Sequence, residues 1–520
     1  MAIVRHDSVI ALWCSVVIPP ITAIFWYWGI LWAYRLPEHN FGRALWQAIK
    51  STLDEPKILS AAIVGFLIGF AIFLVLFTLF KTNFHGAFFS SRLRGPRMAS
   101  QWMLRIMAYE GKKQLHIGTI RVPTDAKFTH FQFTGSTGGG KSQGIGSMME
   151  SAQDESRMAC VDPNGTFMSN FYREGDYVLN PFDLRTQNWT IFNEIRNAAD
   201  CEHFAVCVIP KSASAEHEQW NRMARVIVSE TMLRLKTQGR GTTRWLTHWL
   251  TAAPNEELAS FLADSPAAGM FHGASETLGS VRTVLTAYVK PHSFMPDAEE
   301  GVESFSIRKW VEEGKGNLWV PWRQDMLEAL RPLISCWTDV IAAATLSVSE
   351  SSNMLFVVDE LDSLEKLNYF SDLATKGRKH GVTLVAGLQS LAQLDSRYGK
   401  TDALTLRNSL RTMVTFGISE GDTYTAEQLS LGFGEHEVVR TVRQMEGGKN
   451  SEGQARERII LPSEIHGLPN LTGYLKYPGD MPTAKFSLKY VKRPEVIESF
   501  IQAETKWTVD ISNYDIFNKS

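Results

Sequence analysis

Hydrophobic residues are distributed very unevenly along the chain, and the two longest apolar runs lie near its N-terminus. Residues 8–34 and 58–80 contain no charged residue over 27 and 23 positions. Each run is long enough for a helix that crosses a bilayer, which needs about 20 apolar residues. A cleaved signal peptide is the alternative for the first run, but the run exceeds a signal core and no small-residue cleavage site follows it. The pattern therefore predicts a two-helix transmembrane anchor over residues 1–83.

Basic residues after the second run predict the orientation of this anchor. Residues 81–113 contain seven lysines and arginines, and Glu110 is the only acidic residue among them. Because positive charge is retained on the cytoplasmic side, we expect the remainder of the chain to lie in the cytoplasm and residues 35–57 to form a short periplasmic loop. The predicted localisation is the bacterial inner membrane, crossed twice. Gly65 and Gly69 have the spacing that lets membrane helices approach closely.

Beyond the anchor, short apolar runs alternate with helix-compatible segments. Such alternation predicts an α/β fold with a parallel sheet that is covered on both faces. Near the C-terminus, residues 474–477 and 484–491 flank a Pro-Gly-Asp turn and predict an antiparallel hairpin at the sheet edge. The other predicted strands cover residues 128–134, 158–162, 317–321, 354–358, 382–386 and 412–416.

Composition narrows the class of protein only slightly. A chain of 520 residues with 44% hydrophobic and 21% charged residues is a folded protein of several domains, not a disordered or collagen-like one. The net charge of −2 points to no particular partner. Five cysteines are an odd and sparse set, which argues against a disulfide-stapled secreted protein. We therefore expect a reducing compartment for the soluble part.

A glycine-rich octapeptide directly follows the first predicted strand of the sheet and precedes a helix-compatible segment. Its residues are Gly135, Ser136, Thr137, Gly138, Gly139, Gly140, Lys141 and Ser142. Glycines let successive N–H groups point at phosphate oxygens, and the helix N-terminus adds its positive dipole end. In such a loop Lys141 would bridge the terminal phosphates and Ser142 would ligate Mg²⁺. A chance turn is the alternative, and the strand before the loop argues against it.

An acidic pair, Asp359 and Glu360, ends the apolar run Met354–Val358. This is a Walker B pattern, in which Asp359 would hold Mg²⁺ and Glu360 would activate the attacking water. On its own, such a pair is more often an ordinary helix start. The phosphate loop elsewhere in the same chain favours the nucleotide-binding interpretation.

Two further residues are candidates for the same site. Gln389 follows the predicted strand 382–386, where it could sense the third phosphate or simply end the strand. Arg378 belongs to a basic cluster before that strand, and such a cluster is commonly a solvated turn. The functional hypothesis is that Arg378 is an arginine finger, which contacts the nucleotide bound by a neighbouring subunit.

Taken together, these motifs resemble those of type IV secretion coupling proteins of the TraD/TrwB kind, over nearly the whole chain. The resemblance implies a RecA-like P-loop NTPase domain, ATP and Mg²⁺ as ligands, and a hexamer with DNA in its central channel. It implies the roles given above for Lys141, Ser142, Asp359, Glu360, Gln389 and Arg378. The matching segments are the two apolar runs, residues 135–142, 161–165, 180–183, 189 with 192–195, 358–361 and 387–390.

The resemblance also implies an all-α domain inserted into the nucleotide-binding domain. Residues 186–300 fit the insertion, so that residues 84–185 and 301–520 would be the two parts of the nucleotide-binding domain. The insertion has 10 Lys and Arg against 13 Asp and Glu, so its charge gives no support to DNA binding. Cys201 and Cys207 match no usual zinc spacing, and we expect no metal there.

The function implied by the resemblance is an ATP-driven DNA translocase that hands the relaxase–DNA complex and its relaxosome proteins to a type IV secretion channel. One alternative is a chromosome-partition motor of the FtsK type, which usually brings more membrane spans and a DNA-orienting winged module. The other is a membrane receptor that recruits relaxase or effector proteins without acting as a motor. The intact Lys141, Asp359 and Glu360 argue against the receptor.

Overall fold

The computed structural model describes two compact units, residues 1–92 with 438–455 and residues 93–437 with 456–520. Most of the predicted periplasmic loop lies outside the described residues. The described residues are 6–33, 46, 49–52, 54–81, 90–272, 275–296, 304–348, 353–442 and 451–503.

The first unit contains two apolar helices, α1 (His6–Ala33) and α2 (Pro56–Lys81), which pack against each other. Small residues make this packing close: a Cβ on Gly69 would lie 3.3 Å from Ile18, and Gly65 faces Phe25 in the same way. Most of the other side chains over residues 56–75 of α2 are exposed. By length and composition α2 could cross a membrane, whereas the apolar stretch found in α1 is shorter.

The other described helices and strands are short to medium in length. The helices are α3 (Gln101–Met107), α4 (Thr124–Lys127), α5 (Lys141–Ala152), α6 (Thr166–Phe171), α7 (Ala198–Val208), α8 (Ala215–Thr237), α9 (Thr243–Thr247), α10 (Asn255–Phe261), α11 (Ser275–Val289), α12 (Ile307–Glu313), α13 (Leu327–Ser347), α14 (Asn368–Lys376), α15 (Leu391–Tyr398), α16 (Lys400–Ser409), α17 (Thr423–Phe433) and α18 (Pro462–His466). The strands are β1 (Ser90–Arg94), β2 (Met98–Ser100), β3 (His116–Ile117), β4 (Ile120–Arg121), β5 (Phe131–Thr134), β6 (Arg157–Pro163), β7 (Tyr177–Val178), β8 (Leu318–Trp322), β9 (Met354–Val358), β10 (Val382–Leu388), β11 (Thr412–Phe416), β12 (Glu435–Val442), β13 (Ser451–Arg458), β14 (Thr472–Lys476) and β15 (Thr483–Ser487).

Ten strands form one sheet in the order β2-β15-β14-β11-β5-β10-β9-β6-β8-β7. The seven strands β11-β5-β10-β9-β6-β8-β7 pair in parallel with one another. Strand β14 is antiparallel to both of its neighbours, β11 and β15. The mostly parallel sheet confirms the predicted α/β class. The other sheets are small, one with the order β1-β12-β13 and one pairing β3 with β4.

Two details of the sheet differ from the sequence predictions. The hairpin of β14 and β15 is present, but it is not the edge, because β2 pairs in parallel with β15 and lies beyond it. The strand predicted over 128–134 begins only at Phe131, since Thr124–Lys127 is helical and His130 adopts a positive φ of 58°. A three-residue strand such as β2 is too short to show the alternation on which strand prediction depends.

Each face of the sheet is covered by its own apolar core. Along β9, Phe356 belongs to one core and Val357 to the other, because successive side chains of a strand point to opposite faces. Helices α5 and α6 pack on one face, while α13 and α14 pack on the opposite face. Helix α13 is long and apolar enough to resemble a membrane span, but it is mostly buried in this second core.

Between β7 and β8 the described residues form helices α7 to α12 and no strand longer than an isolated bridge. These helices share a continuous core with one face of the sheet. Glu194 links the segment around Trp189 to the start of α12. It accepts a hydrogen bond from the indole N–H of Trp189 at 2.8 Å and further hydrogen bonds from the N–H groups of Ile307 and Arg308. The predicted division of the chain at residues 186 and 300 stays a prediction.

Candidate nucleotide-binding site

The carboxyl ends of three neighbouring strands bring the predicted site residues together. In the parallel register Leu388 of β10 stands opposite Thr134 of β5, and Ala386 stands opposite Val358 of β9. The residues that follow these strands therefore lie at one edge of the sheet, where ligands bind in open α/β folds.

The glycine-rich loop leaves β5 in a tight turn. The N–H of Gly135 donates to the carbonyl of Leu388 at 3.1 Å, and the N–H of Ser136 donates to the carbonyl of Gly417 at 2.9 Å. Gly138 and Gly140 have φ values of 78° and 122°, which side chains rarely tolerate. Helix α5 begins immediately afterwards, so its first N–H groups have no partner within the helix and are available to an anion.

One side of the loop packs against the protein, and the other side is exposed to solvent. Phe416, the last residue of β11, packs under it: a Cβ on Gly135 would lie 2.9 Å from the Cβ of Phe416, and a Cβ on Gly140 would lie 3.1 Å from its ring. Thr137, Gly138 and Ser142 are exposed. A ligand can therefore approach the loop from solvent. Sequence reasoning missed Phe416, because a phenylalanine at a strand end carries no signal of this packing.

Lys141 and Asp359 meet at the centre of the site. The Nζ of Lys141 lies 3.4 Å from Oδ1 of Asp359, and each side chain is only 8% exposed. Beyond this ammonium, no donor among the described residues forms a hydrogen bond with that oxygen. Gly387 of β10 makes room for the carboxylate, because a Cβ at this position would overlap Oδ1.

Glu360 adopts a left-handed backbone conformation, with φ 63° and ψ 50°, which is unusual for a residue other than glycine. Its Oε1 accepts a hydrogen bond from Nε2 of Gln389. Burial raises the pKa of Glu360 and the nearby carboxylates of Asp359 and Asp362 add to the rise, whereas Lys141 and the Gln389 hydrogen bond oppose it.

Asp362 is a site residue that sequence reasoning missed. Its Oδ2 accepts hydrogen bonds from the backbone N–H groups of Gln389 (3.0 Å) and Ser390 (2.9 Å), so it connects the segment after β9 to the end of β10. Burial raises its pKa above the ordinary value for aspartate. Its closeness in sequence to Asp359 and Glu360 is the feature from which it could have been predicted.

Arg378 does not join the site within its own chain. It is exposed in a short 3₁₀ helix, Gly377–His380, which leads into the first residue of β10. The nucleotide site lies beyond the last residue of the same strand. Arg378 therefore lies where the parallel strands begin, whereas the other predicted site residues lie where the strands end. Those residues are Lys141, Asp359, Glu360 and Gln389.

The oxygen atoms at the site suit a divalent cation. Mg²⁺ is usually bound by one or two carboxylate or hydroxyl groups together with substrate phosphates and water. The Oδ1 of Asp359, which accepts no hydrogen bond, and the exposed hydroxyl of Ser142, at the first turn of α5, provide such oxygens. The described residues contain no group of three or more His, Cys, Asp and Glu side chains that could hold a metal, and Cys201 and Cys207 are buried.

A mostly parallel sheet with a glycine-rich loop and an acidic strand end at one edge defines a P-loop nucleotide-binding protein with a RecA-like α/β fold. The sequence profile described as "Type IV secretion-system coupling protein DNA-binding domain" matches residues 114–489. The chain belongs to this family of type IV coupling proteins.

Two relatives are similar in sequence. The coupling protein TraD of Escherichia coli K12 is 29% identical over 417 residues, which cover 76% of this chain and 58% of TraD. The conjugal transfer protein TraG of Rhizobium radiobacter is 32% identical over 117 residues, which cover 21% of this chain and 18% of TraG. The chain thus spans little more than half of TraD.

Solved structures of the coupling protein TrwB are similar in fold, and the unbound one is of a form named TrwBdeltaN70. The unbound form has a TM-score of 0.75 and 40% identity, covering 81% of this chain and 98% of that chain. TrwB in complex with ADP and Mg²⁺ also has a TM-score of 0.75, covering 81% and 100%. TrwB in complex with a non-hydrolysable ATP analogue has a TM-score of 0.74, covering 81% and 99%.

Proposed function

We propose that this protein is an inner-membrane ATPase that drives DNA from a relaxase complex into a type IV secretion channel during conjugation. The observation that carries the proposal is the contact between Lys141 and Asp359 beneath the glycine-rich loop. Its support from relatives is that TrwB, 40% identical, has been solved with ADP and Mg²⁺ and with an ATP analogue.

The ligand of the site is ATP with Mg²⁺. N–H groups of the loop and of the first turn of α5 bind the phosphate oxygens, apart from those of Gly135, Ser136 and Gly139, which donate to backbone carbonyls. Lys141 places its ammonium against the terminal phosphates. Ser142 and Asp359 would hold the metal. When bound, Mg²⁺ neutralises charge on the phosphates and orients them.

Glu360 is the residue proposed to accept a proton from the attacking water. Its elevated pKa, caused chiefly by burial, suits a general base because it moves towards the pH of the cell. The hydrogen bond from Gln389 orients the carboxylate, and Asp362 holds the backbone from which Gln389 extends. Gln389 is thereby placed to respond when the third phosphate leaves.

The assembly proposed is a homohexamer anchored by α1 and α2, with its soluble part in the cytoplasm. Because Arg378 lies at the opposite edge of the sheet, it can serve only the site of a neighbouring subunit. Residues 186–300 would form the all-α domain within a nucleotide-binding domain made of residues 84–185 and 301–520. Relaxosome proteins and secretion-channel components are the proposed partners.

ATP turnover by full-length protein in lipid nanodiscs tests the proposal. We expect DNA to stimulate turnover and Lys141→Thr to abolish it. Turnover that does not respond to DNA, together with tight relaxase binding, would favour a recruiting receptor instead. Nucleotide binding without any turnover would contradict the motor.

A further inference from the structure

Helix α3 shows an unusual distribution of side chains. Leu104 is its buried residue, while Trp102 and Ile106 are 58% and 56% exposed. Met103, Met107 and the following Tyr109 are also exposed. The helix is well defined nevertheless, because Ser100 caps it by accepting a hydrogen bond from the N–H of Met103. An apolar helix face is thus turned outward.

A groove of about 400 Å³ lies beside this face and combines apolar with cationic groups. The guanidinium of Arg121 lies 4.4 Å from the centre of the Tyr109 ring. Arg105 and Arg121 form no ion pair with a carboxylate among the described residues. We call this surface the α3 patch; it is lined by Trp102, Arg105, Ile106, Tyr109, Thr119 and Arg121.

The surroundings of the α3 patch are strongly basic. Residues 92–121 contain seven lysines and arginines and one acidic residue, in a chain whose net charge is −2. Three of these cations form ion pairs: Lys112 with Glu110 at 3.2 Å, Lys113 with Asp154 at 3.6 Å and Arg94 with Glu437 at 2.6 Å. The local charge therefore remains positive and calls for an anionic partner.

We propose that the α3 patch docks on the surface of an anionic bilayer, with its arginines at the headgroup phosphates and its apolar side chains below them. Tryptophan and tyrosine beside arginine are characteristic of the membrane interface. The patch also follows the anchor closely in the chain: 19 residues, 82–100, separate the end of α2 from the start of α3. This docking rests on the proposed membrane anchor.

A nucleic acid fits the patch less well than a bilayer does. DNA offers phosphates and stacking faces to arginine and aromatic side chains, but it leaves exposed aliphatic groups without a partner. Ile106 in the patch is such a group, and so are Met103 and Met107 on the same helix. The hydrocarbon side of a bilayer interface accommodates them together with the aromatic rings.

Fluorescence quenching by nitroxide-labelled lipids tests the docking. Full-length Met103→Cys protein is labelled with an environment-sensitive fluorophore and reconstituted into vesicles of phosphatidylcholine with or without phosphatidylglycerol. The matched control is Leu404→Cys, whose residue in α16 is 48% exposed. Labelled parental protein gives the background, and ATP turnover equal to the parental value shows that each variant is folded.

We expect lipid quenching of the label in the Met103→Cys protein and none at the control position. In anionic vesicles, each of the substitutions Arg105→Gln and Arg121→Gln should lower the ratio of docked to undocked patch roughly five-fold. This factor corresponds to the attraction of about 1 kcal/mol between one cationic side chain and an anionic membrane surface. Equal quenching at both positions overturns the docking. So does a label that responds to DNA or to a second labelled copy, but not to lipid.

The same experiment separates this docking from the anchor on which it rests. Protein that floats with the vesicles but shows no lipid quenching of the label on α3 contradicts the docking alone. Protein that does not float with the vesicles contradicts both the anchor and the docking.

Discussion

The ammonium of Lys141 and the carboxylate of Asp359 lie 3.4 Å apart, although the two residues are distant in sequence. Their contact follows from the strand order, because β5 and β9 both flank β10 in parallel. Each residue comes shortly after its strand ends at the same edge of the sheet. The contact thus places a cation and an anion where a metal-bound triphosphate needs both.

Lys141→Thr removes the cation of this contact, and we expect ATP turnover to fall at least about 100-fold because the charge that develops on the phosphates loses its partner. Turnover by protein in nanodiscs measures the effect. Lys379→Thr is the control, since Lys379 is exposed and precedes β10 at the other edge of the sheet. A Lys141→Thr protein with parental turnover would rule out this site as the centre of hydrolysis.

Gly387→Ala tests whether the carboxylate of Asp359 needs its present position. The added Cβ overlaps Oδ1, so the carboxylate or the strand must shift. We expect a loss of turnover and a fall of about 1–3 kcal/mol in the free energy of unfolding, as for other overpacked sites. Both are measurable on the same preparation.

Gly279→Ala is the matched control for this change. Gly279 lies in α11, where a Cβ would meet no atom within 4 Å. Alanine favours a helix over glycine by up to about 1 kcal/mol, so this variant should be as stable as the parent or slightly more stable. Equal behaviour of the two alanine variants would mean that Asp359 tolerates displacement.

The pH dependence of turnover should report on Glu360. Its carboxyl must be ionised to accept a proton, so turnover falls as the pH drops through its pKa, which burial raises. The hydrogen bond from Gln389 favours the ionised form. Gln389→Leu should therefore move the acid limb of the pH–rate profile to higher pH.

Glu360→Gln provides the reference for that profile. It removes the proposed base but keeps the shape of the side chain, so the remaining turnover should be low and should lack the acid limb assigned to Glu360. An acid limb that is the same in parental and Gln389→Leu proteins would place the titrating group elsewhere.

Local pattern in the sequence was enough to predict the parallel sheet, because its central strands are continuous apolar runs such as Met354–Val358. The strand-loop-helix order around Lys141 was equally visible. The sequence could not show which strands are neighbours. The space that Gly387 leaves for Asp359, the support of the loop by Phe416 and the pairing of β2 with β15 all depend on that arrangement.

The buried carboxyl group of Asp339 should make the free energy of unfolding depend on pH in a predictable direction. It is buried in α13, and its carboxylate accepts hydrogen bonds from the N–H groups of Asn368 and Phe370 that begin α14. Burial raises its pKa to about 7, against about 3.9 in an unfolded chain. The folded state therefore binds the proton more tightly, and the stability from this group is lost as the pH rises from about 4 to about 7.

We accordingly expect the free energy of unfolding of the parental protein, relative to Asp339→Asn, to fall over this pH range by at most about 4 kcal/mol. Denaturant unfolding at several pH values measures it. Asp264→Asn, at an exposed position, is the control for a carboxylate that is not buried. A difference that stays constant with pH would show that Asp339 keeps the same charge in both states.

As the proposed arginine finger, Arg378 would have to act on a neighbouring subunit, since the length of β10 separates it from the site of its own chain. We expect Arg378→Ala to leave nucleotide binding unchanged and to lower turnover of the assembled protein about 10³-fold or more, as for other arginine fingers. Lys379→Ala is the control for loss of an adjacent exposed cation. Parental turnover of assembled Arg378→Ala protein would exclude the finger.

Mixing two inactive variants makes this test sharper. In an assembly of Lys141→Thr and Arg378→Ala chains, some sites combine an intact Lys141 with an intact Arg378 from the adjacent chain. A finger that acts between subunits should therefore restore turnover on mixing, with an amplitude that depends on the mixing ratio. If both residues acted within one chain, no combination would contain a complete site, and the mixture would stay inactive.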